Sequence, residues 1–261
     1  MWWSVCQSNL SRSPVYFNGE KYIASSQKKY FTCLALLILK RTGTKYITHL
    51  KINNLAFENV ENFNYLGSIL NADNKMNIEV AERLVKGNKA YYANAKLIKS
   101  KFLKRNTKMK IYKTIIRPVI TYSSKAWTLT AKDENNLCIF ERHILRKIFG
   151  PVNIDNIRRI RNNMEILVDK LIEGAGIVRF IKAQRMKWLG HIQRMNQARP
   201  TRKLLDWKPM GTRPVGRLKQ WWQEGVMENL KKLKMKNWKE TAEDRRTWGD
   251  LAEKAKTHKG L

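Results

Sequence analysis

Residues 83–132 form a fifty-residue segment with 14 Lys or Arg and no Asp or Glu. A helix surface that stabilises itself interleaves Glu with Lys at a spacing of four. Here no carboxylate is at hand, so the repulsion among the cations has to be offset from outside the segment. The apolar residues nonetheless keep a helical beat. Val80, Leu84, Gly87, Tyr91, Ala95, Ile98 and Phe102 recur in steps of three and four, which at ~100° per residue is one face of one helix. Lys86, Lys89, Lys96 and Lys99 project from the other side. Lys104, Arg105, Lys108, Lys110 and Lys113 carry the charge into a second helix, expected over 107–117 and stopped by Pro118. Phosphates are the natural counter-charge, through release of their condensed counterions. A basic face kept only for solubility is the competing reading, but solubility is usually met by mixing both signs.

Composition extends this argument to the whole chain. Its 261 residues hold 52 Lys and Arg against 21 Asp and Glu, a formal charge of +31. With 43% apolar residues and 9 Trp, this is not a disordered basic tail, which lacks the surface to bury. At ~150 residues per domain the length allows about two modest domains. Cys6, Cys33 and Cys138 are odd in number and far apart, as are His49, His143, His191 and His258. That pattern argues against a disulfide scaffold and offers no zinc site at ligand spacing, so no metal is expected. The longest apolar run, 33–39, falls well short of the ~18 residues a membrane span needs. A nuclear or cytoplasmic protein, neither secreted nor membrane-spanning, is the expectation.

Residues 1–40 are weakly patterned. Strand-like runs follow at 46–48, 51–52 and 62–70, with turns at Asn53-Asn54 and 58–62. Thr130 is a good N-cap for a helix that starts with Asp133 and Glu134, buries Leu137, Phe140, Ile144 and Ile148, and ends at Gly150-Pro151. A loop is expected over 152–163. Helical periodicity returns at 164–172, 177–195, 218–233 and 238–256, with a basic linker at 209–217. The fold class is therefore mainly α: a short β-hairpin unit, a helical thumb-like domain and a second helical unit.

The sequence contains no Asp-Asp dipeptide, P-loop, His-Glu-x-x-His or Gly-x-Ser-x-Gly. Adjacent acids occur at Asp133-Glu134, read as helix-start chemistry, and at Glu243-Asp244, read as an ion pair with Arg245-Arg246. No catalytic residue is assigned. His143 and His191 are read as structural, since a general base needs a positioned partner. Trp188, Trp238 and Trp248 belong to apolar stripes. Trp221 and Trp222 cannot face the same way on a helix, so one of them is available for stacking on a base.

Six ordered motifs carry a resemblance. They are Phe63-Asn-Tyr-Leu-Gly-Ser68, Ile116-Arg-Pro-Val-Ile-Thr-Tyr122 with Ala126-Trp127-Thr-Leu-Thr130, Phe140-Glu-Arg-His-Ile-Leu-Arg-Lys-Ile-Phe-Gly-Pro151, Arg161-x-Asn163-x-Glu165, Arg185-Met-Lys-Trp-Leu-Gly-His-Ile-Gln-Arg-Met195, and Asn237-Trp238 with Asp244-Arg245 and Trp248. Over 41–261 the chain resembles the C-terminal part of non-LTR (LINE-type) retrotransposon reverse transcriptases. The resemblance implies a palm-to-thumb β-hairpin at 41–70, a helical thumb at 71–150 and a helical C-terminal extension at 151–261. Phe63, Tyr65, Leu66 and Gly67 would then be primer-grip-like. Residues 1–40 do not match the family, Lys125-Ala126 replaces an expected Glu-Thr, and Leu218 and Gln220 replace an expected Pro and Arg. The family's catalytic aspartates and their Mg²⁺ belong to a palm that these residues do not contain, so the resemblance implies a truncated, inactive fragment that binds RNA or DNA backbone. A host-retained nucleic-acid-binding module and a non-functional remnant are the alternatives.

Overall fold

The computed structural model describes residues 14–17, 20–23, 49–52, 55–58, 60–73, 75–154, 157–167, 176–206, 221–258 and 260. The chain divides into two compact units, 1–79 and 80–261. The first is built of antiparallel hairpins: β1 (Pro14–Phe17) with β2 (Glu20–Ile23), β3 (His49–Ile52) with β4 (Leu55–Glu58), and β5 (Asn62–Tyr65) with β6 (Ser68–Asn71). Leu66 and Gly67 close the last of these with φ of 46° and 80°. Two positive φ values in a two-residue loop match the twist of the strands they join. The carboxylate of Glu79 accepts a hydrogen bond from the Ile69 N–H at 2.6 Å and anchors β6. The β1–β2 pair falls where the sequence read as weakly patterned. Val15, Tyr16 and Phe17 run into Asn18-Gly19 in the sequence, a strong hairpin signal. The expected strand at 46–48 and the Asn53-Asn54 turn lie outside the described residues.

In the second unit the helices form largely where the apolar period places them. Helix α1 (Met76–Ala93) buries Val80 and Tyr91, and Gly87 lets it lie against Ile120 and Phe140. The expected single helix through Phe102 does not form. Asn94 turns its side chain back onto the Ala90 carbonyl at 2.8 Å, a local bond that competes with the helical ladder. A short α2 (Ala95–Lys99) follows, burying Ile98 and leaving Phe102 outside.

Pro118 does not stop the next helix either. Helix α3 (Arg105–Ile111) widens into a π-helical turn (Tyr112–Ile116) and resumes as α4 (Arg117–Thr121). The wide turn puts Pro118 in the first turn of α4, where its missing N–H costs little. Helix α5 (Ala131–Phe149) starts as expected. Thr130 Oγ1 accepts from the Asp133 N–H at 3.2 Å while the Asp133 carboxylate accepts from the Thr130 N–H at 3.1 Å, a capping box. It ends at Gly150, whose φ of 71° an L side chain rarely adopts.

After Pro151 the sequence predicts a loop, and the chain does otherwise. It forms a small hairpin, β7 (Val152–Ile154) with β8 (Ile157–Arg159), not a loop; β-branched Val152, Ile154 and Ile157 favour paired strands. Helices α6 (Asn163–Leu167), α7 (Ile177–Gln193), α8 (Pro200–Asp206), α9 (Trp222–Lys232), α10 (Trp238–Glu243) and α11 (Arg245–Thr257) complete the chain. The fold is mainly α with short β-hairpins. Around α7, Met186, Leu189 and Ile192 pack with Trp222, Val226, Leu230, Ala242 and Trp248, and Trp188 and Trp238 lie half-buried against this core. The 209–217 linker and residues 168–172 and 218–220 of the two expected helices lie outside the described residues. Among the described residues no helix is long and apolar enough to cross a membrane.

Candidate nucleic-acid interface

The buried faces of α1 to α4 fix where their cations point. Ile98 of α2 and Met109 of α3 are buried, and both short helices pack on α5. The charged positions are turned outward. Lys89, Lys96, Lys99, Lys104, Arg105 and Lys110 are exposed, while Lys86, Lys108 and Lys113 are half-buried. Lys86 lies 3.5 Å from Glu82, one turn earlier on α1. Lys89, Lys96, Lys99, Lys104, Arg105, Lys108 and Lys110 have no carboxylate partner among the described residues. The break at Asn94 puts Lys96 and Lys99 on a different helix from Lys86 and Lys89, contrary to the expected single face. It instead joins them to Lys104 and Arg105, since α2 contacts α3 directly.

Phe63, Tyr65, Leu66 and Gly67, expected to be primer-grip-like, lie in the first unit. Tyr65 is buried, Phe63 is half-buried with its ring 6.4 Å from that of Tyr65, and Leu66 is 62% exposed at the turn. Leu66 holds a left-handed φ that glycine would take more easily.

Most of the other motif residues hold the fold together. Glu141, buried on α5, accepts from the Tyr112 hydroxyl at 2.8 Å and from the Ile177 N–H at 2.9 Å. It thereby ties the π-helical turn and the start of α7 to one carboxylate. Burial holds that carboxyl above the usual carboxylate range, against the opposing effect of the two hydrogen bonds, and pushes the Tyr112 phenol well up. Glu134, beside the capping box, pairs with Lys182 of α7 at 2.9 Å. Arg146 donates to Asn163 Oδ1 at 2.6 Å, and Arg159 pairs with Glu165 through both guanidinium nitrogens. Arg185 donates to the Trp222 carbonyl at 3.1 Å, and burial lowers its guanidinium to about 10. Trp222 in turn donates to the Lys125 carbonyl at 2.7 Å. Trp222 is buried and Trp221 half-buried, so neither stands out as a free stacking face.

Asp244, expected to pair with Arg245-Arg246, is instead a helix cap. Its carboxylate accepts from the Arg246 and Thr247 N–H groups at 3.0 and 3.1 Å and caps α11, where it meets the positive end of the helix. Together with the Thr247 side-chain hydroxyl, these bonds hold it below its ordinary pKa.

His143 is exposed and meets Tyr91 edge-on at 6.0 Å. His191 is exposed beside Trp188, with ring centroids 5.2 Å apart. Burial first, then Arg194, Lys125, Arg199 and Arg245, hold its imidazole below its ordinary value. A histidine whose folded pKa lies below its unfolded one contributes stability that is lost as pH falls from about 6.5 through the folded value. An NMR titration should therefore place the His191 midpoint below ~6.5, and added salt should raise it by screening the exposed cations. A midpoint at or above 6.5 in low salt would show that these cations do not converge on the ring.

A basic, mainly α chain with a carboxylate-free helical face is the class this geometry defines. The chain is similar to a putative uncharacterized transposon-derived protein of Caenorhabditis elegans, 23% identical over 197 residues that span 73% of this chain and 70% of that protein. That likeness supports a transposon origin. No family model matches the sequence, and no solved structure matches it.

Proposed function

We propose that the chain is the thumb (71–150) and C-terminal extension (151–261) of a non-LTR retrotransposon reverse transcriptase, preceded by the palm-to-thumb hairpin (41–70), and that it binds nucleic-acid backbone through α1 to α3. The observation that carries the binding reading is the set of seven cations there without a carboxylate partner among the described residues. The retrotransposon reading is supported by the six ordered motifs and by the likeness to a transposon-derived protein. Contacts of this kind go to phosphates and are nearly blind to sequence. Mg²⁺ chemistry belongs to the parent family's palm and is no part of this binding reading.

Fluorescence anisotropy of the full chain with a labelled duplex, titrated over salt, tests this. If six phosphates are neutralised, the log–log slope of affinity against salt should be about −5, from ~0.9 per contact. Scrambled duplexes should bind alike. A slope near zero would refute the backbone reading.

A further inference from the structure

Between α2 and α3 the chain makes a short turn, and Phe102 stands on it 98% exposed. The sequence places this ring at the end of an apolar stripe, where it would be buried; the break at Asn94 leaves it in solvent. The turn is held from both sides. Ser100 donates its N–H to the Lys96 and Leu97 carbonyls at 3.1 and 3.3 Å, and Ser100 Oγ accepts from the Phe102 N–H at 3.2 Å. Just beyond, the Lys108 N–H reaches the Lys104 carbonyl at 3.1 Å as α3 begins. Buried Ile98 and Met109 seat the helices on either side. The backbone that carries Phe102 is thus held in place, and its ring is presented outward. Lys99, Lys101, Lys104 and Arg105 flank it, all exposed, with no Asp or Glu between residues 83 and 132.

A polyanion that also offers flat apolar faces fits this combination, and single-stranded nucleic acid has both. Base pairs in a duplex keep those faces stacked inside. A membrane surface is less well matched, because the apolar faces of α2 and α3 are turned into the core and leave one ring outside, where an amphipathic interfacial helix offers a whole face. We propose that Phe102 is a base-stacking residue for unpaired nucleotides, with Lys99, Lys101, Lys104 and Arg105 taking the flanking phosphates. This rests on the nucleic-acid reading above and narrows it to single strands or unpaired ends at this turn.

The test compares the full chain with Phe102→Ala, Phe102→Leu and Phe102→Tyr, using a labelled single-stranded oligonucleotide and a blunt duplex. At 98% exposure the ring supports no core, so all three variants keep the fold, which circular dichroism checks. Phe102→Ala and Phe102→Leu should weaken single-strand binding about tenfold, within the ~5- to 150-fold that one stacked base provides. Their salt slope should stay unchanged, and their duplex affinity should stay within about twofold of the parent. Phe102→Tyr should bind as the parent does. Equal losses on single strand and duplex, no loss on either, or full retention by Phe102→Leu would each overturn stacking. So would vesicles rich in phosphatidylserine that bind the parent but not Phe102→Ala, with oligonucleotide affinity unchanged. If the parent itself binds no nucleic acid at low salt, the backbone reading fails along with this one; if it binds and only the Phe102 variants are silent, stacking alone fails.

Discussion

Gly190→Ala should destabilise the second unit, while Gly249→Ala, at the residue next to Trp248, should stabilise it. A Cβ added to Gly190 would lie 2.1 Å from Trp248 Nε1 and 2.3 Å from Cδ1, far inside contact distance. The indole has no cheap way to move. It is 2% exposed, packed with Met186, Leu189 and Ala255, and its Nε1–H donates to the Met186 carbonyl at 2.9 Å. Alanine gains about 1 kcal/mol of helix propensity over glycine, but overpacking a core costs about 1–3 kcal/mol and a broken buried hydrogen bond about 1 kcal/mol more. The net is a loss of about 1–3 kcal/mol. Gly249 has nothing within 4 Å of an added Cβ and sits inside α11, so only the propensity gain of about 0.5–1 kcal/mol applies. Urea unfolding of the two variants should move the midpoint in opposite directions. A rise for Gly190→Ala as well would mean that α7 and α11 do not approach as closely as the glycine implies.

Gly190 also marks what the sequence could and could not reveal. Apolar spacing was enough to place Val80, Tyr91 and Ile98, and to put Gly87 on the buried face of α1, because periodicity reports which side of a helix is covered. Thr130 and Asp133 announced the start of α5 by capping chemistry, and Gly150 its end. The failures have a common form: a local bond or backbone geometry overrode the period. At Asn94 the side chain captured its own helix, at Pro118 a π-helical turn absorbed the proline, and at Asp244 two backbone N–H groups were nearer partners than the neighbouring arginines. The basic face is visible in composition, but its division between α1 and the α2–α3 pair is not, and the apolar period puts Phe102 on the buried side because it carries no sign of the break at Asn94. The motif residues Glu141, Arg146, Glu165 and Arg185 read as a family pattern in sequence. In the fold they are buried or bridging groups that tie one element to another, so their positions are explained by packing without a role in a site.

Replacing Lys96, Lys99, Lys104 and Arg105 together by Gln should have the largest effect on binding. All four are exposed, lie on α2, α3 and the turn between them, and have no carboxylate partner among the described residues. The substitution therefore removes charge without orphaning a partner, and Gln keeps a helix propensity near that of Lys and Arg. If each cation neutralises one phosphate, the salt slope of duplex binding should flatten by up to ~3–4 units, and unrelated sequences should weaken alike. Net charge alone would also lower affinity for a chain at +31, so a charge-matched control is needed. Lys231, Lys236, Lys239 and Lys254 are exposed on or beside α9, α10 and α11, and changing these four to Gln removes the same charge elsewhere. Long-range attraction is screened beyond ~8–10 Å at physiological salt, so the control should leave the slope close to that of the parent. Equal flattening in both variants would reduce the α2–α3 face to one part of a uniformly basic surface. An unchanged slope in the first variant would show that its cations are solvated and that phosphates bind elsewhere.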